Sequence, residues 1–179
     1  MPLLRWPLPC TPALLVAAAL SCASMARADE ADQIRALITR GDLAAALQRA
    51  AGALAERPRD APLRFLQAVV LMDLQRDDEA LTQFTELSQE YPELPDPYNN
   101  IALLHVRAGR LEPALQALQA ALRNDPAHRI ARANLGLVHL LLAARAWEQL
   151  AASGSTDALT ARRLEAVRAL LAETPGPAR

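Results

Sequence analysis

The chain has 179 residues, of which 52% are hydrophobic and only 3% aromatic, and its formal net charge is -1 at pH 7. Such a length fits one domain with a real core, and the dominance of Ala and Leu argues against a strand-rich sandwich or barrel. A near-neutral charge also argues against nucleic-acid binding, which requires a basic excess. Composition therefore predicts an all-α chain.

The first 28 residues have the three parts of a secretory signal peptide. Arg5 precedes an apolar run at residues 13–20, and an Ala-Arg-Ala site ends at Ala28. The run is shorter than the about 20 residues that span a bilayer. We expect cleavage after Ala28 and a periplasmic location. An uncleaved helix of the fold is the alternative, although three prolines near the start disfavour it.

Both cysteines, Cys10 and Cys22, lie inside this leader. If it is removed, the rest of the chain has no disulfide, thiolate nucleophile or thiolate metal site. The Leu-Ser-Cys sequence that ends at Cys22 loosely resembles a bacterial lipoprotein cleavage box, although Ala19 stands where that box prefers a larger aliphatic residue. A membrane-tethered assembly factor acylated on Cys22 is therefore the alternative hypothesis.

The rest of the chain contains columns of similar residues that recur every 34 positions. A fixed period of this size is typical of repeat proteins. Each unit also contains two stretches of helix-forming residues with apolar positions at 3.6-residue spacing, joined by a short turn. The recurring positions are Ala46, Ala80 and Ala114, then Ala50, Phe84 and Leu118, and the closing Pro58, Pro92 and Pro126.

This period and pattern resemble the tetratricopeptide repeat family, whose units place aromatic, small and proline residues at fixed positions. The third unit matches best, with Tyr98 in the aromatic place, Ala114 and Ala121 in the small places, and Pro126 at the close. The resemblance implies an all-α fold, a right-handed α-solenoid of three to four helix-turn-helix units. It implies a shared architecture rather than a shared activity.

The fourth unit departs from the pattern, because no Gly, Pro or Asn follows its first helix and Glu148 replaces the small Ala. We predict one continuous helix over residues 127–152. Ser155 or Thr156 is expected to cap a last helix that closes the array. The predicted segments are a signal peptide at 1–28, repeats at 29–60, 61–94 and 95–128, a degenerate repeat at 129–152, a capping helix at 156–173 and a flexible tail at 174–179.

The capping helix is expected to bury one apolar face against the array. Its apolar residues recur at helical spacing, while the arginines and glutamates fall elsewhere on the helix. The predicted inner face consists of Leu159, Leu164, Val167 and Leu171.

No motif in the sequence predicts catalysis, a metal site or a cofactor. His105 and His139 are 34 positions apart and would occupy the same place in successive helices, but no third ligand supports a metal site. We interpret that place as a half-buried core histidine. No serine lies in a GxSxG context, and no Gly-rich loop would hold a phosphate. We therefore expect neither an enzyme nor a small-molecule substrate.

The resemblance implies that the first helix of each unit lines an inner groove, which in this family often holds an extended peptide. Asn100 and Asn134 occupy the same repeat position, and an amide there can bond a peptide backbone. Neither is expected to be needed for the core, because Ile101 and Leu135 pack instead. The alternative is that Asn is only tolerated on a helix surface. The candidate groove residues are Arg35, Phe65, Asp73, Asn99, Asn100, Arg107 and Asn134.

Taken together, the sequence predicts a non-catalytic interaction module of the bacterial cell envelope that binds an extended segment of another protein. The two-carboxylate clamp of chaperone-binding members is not predicted, since Arg35 alone is basic among the groove positions that would form it. A membrane is expected as a partner only if Cys22 is lipidated. The oligomeric state stays open.

Overall fold

The structure is a computed structural model, and it describes residues 30–173 and Gly176. The predicted signal peptide, the cleavage site, both cysteines and the rest of the tail at 174–179 lie outside the described residues. The fold is therefore discussed for the repeat region and the helix that follows it.

The described part of the chain folds into eight α-helices and contains no strand. Helices pack mainly on their neighbours in the sequence, which is how a solenoid buries its core. The all-α solenoid of repeats is thus confirmed. The helices are α1 at 30–39, α2 at Leu43–Glu56, α3 at Ala61–Asp73, α4 at Asp77–Glu90, α5 at Pro95–Arg107, α6 at Leu111–Asn124, α7 at Arg129–Ala152 and α8 at Ala158–Glu173.

The turn inside each of the first three units places one residue in the left-handed region. Gly41 and Gly109 have φ values of 76° and 70°, and Gln75 holds the equivalent place in the second unit with φ 60°. The left-handed region is open to glycine but strains a residue with a Cβ atom. The next backbone N–H then donates to a carbonyl at the end of the preceding helix, as Arg76 does to Leu71 at 2.9 Å.

The small alanines of the repeat pattern lie where paired helices touch. Ala46, Ala80 and Ala114 have no exposed surface, which is consistent with helices that approach closely at these positions. The larger residues of the second column, Phe84 and Leu118, are equally buried. The recurring columns therefore mark the core of each unit.

The core is divided into successive local clusters rather than gathered in one centre. The first joins α1, α2 and α3, the second joins α3, α4 and α5, and the third joins α5, α6 and α7. A fourth, smaller cluster of Ala144, Leu164 and Val167 holds α8 on the second half of α7. Each unit is thus stabilised by its neighbours, as in other repeat proteins.

α7 runs without a break from Arg129 to Ala152, as the missing turn signals predicted. It is 24 residues long, although no helix of the described residues is apolar enough over a sufficient length to cross a membrane. Its first turn is capped by His128, whose Nδ1 accepts from the N–H of Ala131 at 3.0 Å.

The predicted cap of the last helix was wrong. Helix α8 begins at Ala158, and the carboxylate of Asp157 accepts the N–H of Thr160 at 2.7 Å. This hydrogen bond holds the pKa of Asp157 below its usual value. Neither Ser155 nor Thr156 is the capping residue.

The predicted inner face of α8 was also wrong at one position. Leu164 and Val167 are buried, but Leu159 is 56% exposed and Thr160 is buried in its place. Adjacent residues lie about 100° apart around a helix, so Thr160 and Leu159 cannot share the narrow inner stripe. Because Thr160 bonds the capping carboxylate of Asp157, its hydroxyl is satisfied there.

Candidate functional site

A cavity of about 330 Å³ opens where the first helices of the first three units, α1, α3 and α5, come together. We call this surface the groove. Three of the predicted groove residues, Arg35, Phe65 and Asn100, meet in its lining. The lining consists of Arg35, Ile38, Thr39, Phe65, Leu66, Val69 and Asn100.

The apolar wall of the groove is held in place by the core beneath it. The ring of Phe65 packs edge-on against that of Phe84, with centroids 5.5 Å apart and planes at 61°. Phe84 is fully buried on α4, so Phe65 is fixed from below while it stays half-buried itself. Edge-to-face packing of this kind orients aromatic side chains. Phe65 therefore presents a rigid apolar surface to the cavity.

Asn100 is the residue of α5 in the lining of the same cavity. Its side chain is only 4% exposed, and its Nδ2 donates to the carbonyl of Asp96 at 2.9 Å. Its Oδ1 is buried and accepts no hydrogen bond from the described groups. A buried acceptor without a donor is costly, and Asn100 is a lining residue that carries one.

Asn134 does not line the cavity, although it holds the same repeat position. Its Nδ2 donates to Oδ1 of Asn99 at 2.9 Å, and the two side chains are 3% and 2% exposed. The amides thus join α7 to α5 inside the core. Asn100 and Asn134 are both buried and hydrogen-bonded, which argues against the prediction that the core does not need them.

The other two predicted residues lie outside the cavity lining. Arg107 donates from Nη1 to the carbonyl of Met72 at 3.2 Å and to Oδ1 of Asp77 at 3.0 Å, so it ties α5 to the preceding unit. Asp73 is half-buried at the last position of α3, and its side chain is not without a partner. Neither side chain contributes to the lining of the cavity.

A second cavity of about 770 Å³ shares Arg35 with the first and extends along the turn between α2 and α3. The hydroxyl of Tyr91 donates to the carbonyl of Arg59 at 3.0 Å and borders it. Arg57 and Tyr91 precede Pro58 and Pro92, so they occupy equivalent positions of the first two units. The lining consists of Ala31, Arg35, Arg57, Pro58, Arg59, Asp60, Ala61, Pro62, Leu63 and Tyr91.

The arginines that line the two cavities each have an acidic neighbour. Arg57 pairs with Asp60 at 3.5 Å, and Glu90 lies close enough to Arg59 to interact with it. Arg35 pairs with Asp32 at 2.8 Å, and both side chains are more than half exposed.

The two histidines at equivalent positions differ in environment. His105 is half-buried, as predicted, but His139 is exposed. Burial lowers the pKa of His105 because it disfavours the charged imidazolium, and the nearby Arg110 lowers it further. Among the described residues, no three histidine, cysteine, aspartate or glutamate side chains gather as a metal-binding group.

The family model described as tetratricopeptide repeat matches residues 31–95 and 99–158. The chain belongs to the tetratricopeptide repeat family. Members of this family are generally non-catalytic scaffolds, and the chain is accordingly a scaffold for protein–protein interaction. No curated protein sequence matches it.

Solved structures similar to this tetratricopeptide repeat chain share its fold. The first repeat domain of human RPAP3 is 15% identical with a TM-score of 0.60, over 64% of this chain and 90% of that domain. A tetratricopeptide repeat protein from Parabacteroides merdae is 20% identical with a TM-score of 0.57, over 79% and 60%. MamA from Desulfovibrio magneticus is 19% identical with a TM-score of 0.54, over 79% and 73%.

Proposed function

We propose that the chain is an exported scaffold of the bacterial cell envelope whose groove binds an extended segment of another protein. The observation that carries the proposal is that Asn100, which lines the mostly apolar cavity between α1, α3 and α5, has a buried Oδ1 without a donor. A ligand that supplies one N–H beside an apolar side chain satisfies both features.

An extended segment fits this site better than a helical one. The backbone N–H groups inside a helix are already bonded to carbonyls four residues earlier, so they are not free to donate to Asn100. A strand-like peptide keeps its N–H groups available and is recognised through its backbone. The cavity, at about 330 Å³, also takes one or two side chains rather than the face of a helix.

The experiment is a comparative capture from an envelope extract. We expect a protein that binds the wild-type chain to be lost with Val69→Phe, because the added ring fills the cavity from its own wall. Ala44→Phe is the matched control, since it adds the same ring at an exposed position of α2. Equal capture by both variants would place the binding surface outside the groove.

The export proposal rests on the leader features of residues 1–28. Expressed with this leader in a Gram-negative host, the mature chain is expected to begin at Asp29 and to contain no thiol. Mass analysis of the purified protein tests this directly. An acylated N-terminus at Cys22 would contradict it and support the membrane-tethered alternative.

A further inference from the structure

We propose that α8 is a self-association surface, through which two copies of the chain pair their last helices antiparallel about a two-fold axis. The surface lies away from the groove, so the proposal goes beyond the proposed function and is independent of it. The match to the tetratricopeptide repeat family ends at residue 158, where α8 begins. The surface therefore belongs to the last helix of this chain rather than to the repeat pattern.

The outer face of α8 carries an apolar stripe. Leu159 and Leu170 are 56% and 50% exposed, the two highest values among the exposed large apolar side chains of the described residues. They are eleven positions apart, close to three full turns, so they share one face with the exposed Ala166 between them. Leu164 and Val167 pack on α7 from a different face. Because a terminal helix of a solenoid needs a polar outer face, aligned leucines there indicate a contact surface.

The spacing of the stripe fits a second copy of the same helix. When two copies of α8 run antiparallel about an axis midway between the leucines, Leu159 of each copy lies opposite Leu170 of the other. The small Ala166 near the axis lets the two helices approach closely. A two-fold contact uses the same patch on both copies, so both leucine pairs are buried together.

The charges beside the stripe are also self-complementary. Arg162 and Glu165 flank it on the same side, and neither has an ion pair within the described part of its own chain. The antiparallel arrangement brings Arg162 of one copy within two positions of Glu165 of the other, whereas a parallel pair would place arginine opposite arginine. Arg163, on the other edge, lies close enough to Asp157 of its own chain to interact with it, which offsets its charge.

The contact is small, so the dimer is expected to be weak. α8 has 16 residues and is about 24 Å long at 1.5 Å per residue. One pair of such helices buries less than the about 1,200 Å² at which stable interfaces begin. We expect a dissociation constant between about 10 µM and about 1 mM.

Sedimentation equilibrium of the purified chain over this range measures the association. The average mass is expected to rise from that of one copy toward that of two. Leu170→Glu is expected to weaken the dimer more than tenfold, because the new carboxylate lies in the apolar contact. Ala161→Glu is the matched control, since it adds the same charge at an exposed position on the opposite side of α8.

Disulfide trapping tests the two-fold arrangement itself. In a chain with Cys10 and Cys22 changed to Ser, a mixture of Leu159→Cys and Leu170→Cys is expected to cross-link readily on oxidation. Either variant alone is expected to cross-link far less, because the two positions lie opposite each other and not opposite themselves, and a disulfide requires close Cα atoms.

A charge exchange tests the ion pairs across the axis. Arg162→Glu is expected to weaken the dimer about three- to tenfold, and the added change Glu165→Arg is expected to restore it. Both effects are expected to shrink as salt rises above about 0.1 M. Thermal unfolding of each variant confirms that the comparison is made on folded protein.

The outcomes are separate from those for the groove. A chain that stays monomeric up to about 1 mM would overturn the proposal. A dimer that Leu170→Glu leaves intact, or equal cross-linking by each cysteine variant alone, would also overturn it. Val69→Phe, which fills the groove, is expected to leave the self-association unchanged, so this proposal and the proposed function fail independently.

Discussion

The amide pair between Asn99 and Asn134 is buried where α5 meets α7. Asn134→Ala removes the donor and leaves Oδ1 of Asn99 buried without it, which we expect to lower the free energy of unfolding by about 1–3 kcal/mol. Urea denaturation measures this loss. The double change Asn99→Leu with Asn134→Leu removes both polar groups and is expected to cost less than Asn134→Leu alone. A loss under about 0.5 kcal/mol for Asn134→Ala would mean that the pair does not stabilise the array.

Asn100 is expected to behave differently from Asn134 despite the shared repeat position. Its Oδ1 has no donor in the described part of the chain, so we propose that it accepts a hydrogen bond from the bound segment. Asn100→Ala is expected to weaken the binding of a peptide that copies the bound segment of a captured partner by about 0.5–1.5 kcal/mol, the net value of one hydrogen bond. Titration by fluorescence anisotropy measures it, and unchanged affinity would remove Asn100 from the site.

His105 gives the stability a dependence on pH. Its pKa in the folded chain lies below 6.5, so the unfolded chain binds the proton more readily. The contribution of His105 to the free energy of unfolding is therefore fully present above pH 6.5. It is lost as the pH drops through that value toward the lower pKa of the folded chain. Melting temperatures between about pH 7.5 and about pH 5.5 are expected to fall less for His105→Leu than for the wild type. The exposed His139, changed to Leu, is the matched control. If His139→Leu reduced the pH dependence of the melting temperature as much as His105→Leu does, His105 would not be its source.

The side chains that meet in the groove were only partly predictable. The first-helix register placed Arg35, Phe65 and Asn100 on one surface, and the structure joins them in one cavity. The sequence does not specify the distance between α5 and α7. This distance determines that Asn134 bonds Asn99 across the two helices. Arg57 and Arg59 belong to a turn, whose path is set by packing rather than by helical periodicity.

At the scale of the elements, two equivalent turns between paired helices allow two opposite substitutions to be compared. Gln75 lies at φ 60°, where a side chain is strained, and Gly109 holds the equivalent place at φ 70°. A Cβ atom added at Gly109 meets nothing within 4 Å, so only the backbone opposes it. We expect Gln75→Gly to raise the free energy of unfolding by up to about 1 kcal/mol and Gly109→Gln to lower it by about 1–2 kcal/mol. Thermal or urea unfolding checks both, and changes of the same sign would contradict this account of the turn.

Helices were easier to predict than their ends. The absence of turn residues predicted the continuous α7, because a helix without a breaker has no reason to stop. The start of α8 was missed by two positions, since Ser155, Thr156 and Asp157 are all good capping residues. The choice of Asp157 depends on the angle at which α8 reaches α7, a tertiary feature that local propensity does not contain.

At the scale of the whole molecule, the groove and the last helix belong to different parts of the array. The groove lies among α1, α3 and α5, and the second cavity beside it borders α1, the turn between α2 and α3, and Tyr91. The opposite end is closed by α8, which packs on α7 and is tied to it by an ion pair of 2.8 Å between Arg168 and Glu148. Because each cluster of the core is local, a change in the cap is expected to leave the groove intact.

The measurement that most directly tests binding in the groove is the amide chemical-shift change of the isotopically labelled protein on titration with a peptide that copies the bound segment of a captured partner. The account predicts the largest changes along one face of α1, α3 and the start of α5, around Arg35, Val69 and Asn100, with α8 unaffected. Changes concentrated on α2, α4 and α6, or on α8, would contradict the account and place the interaction on another surface.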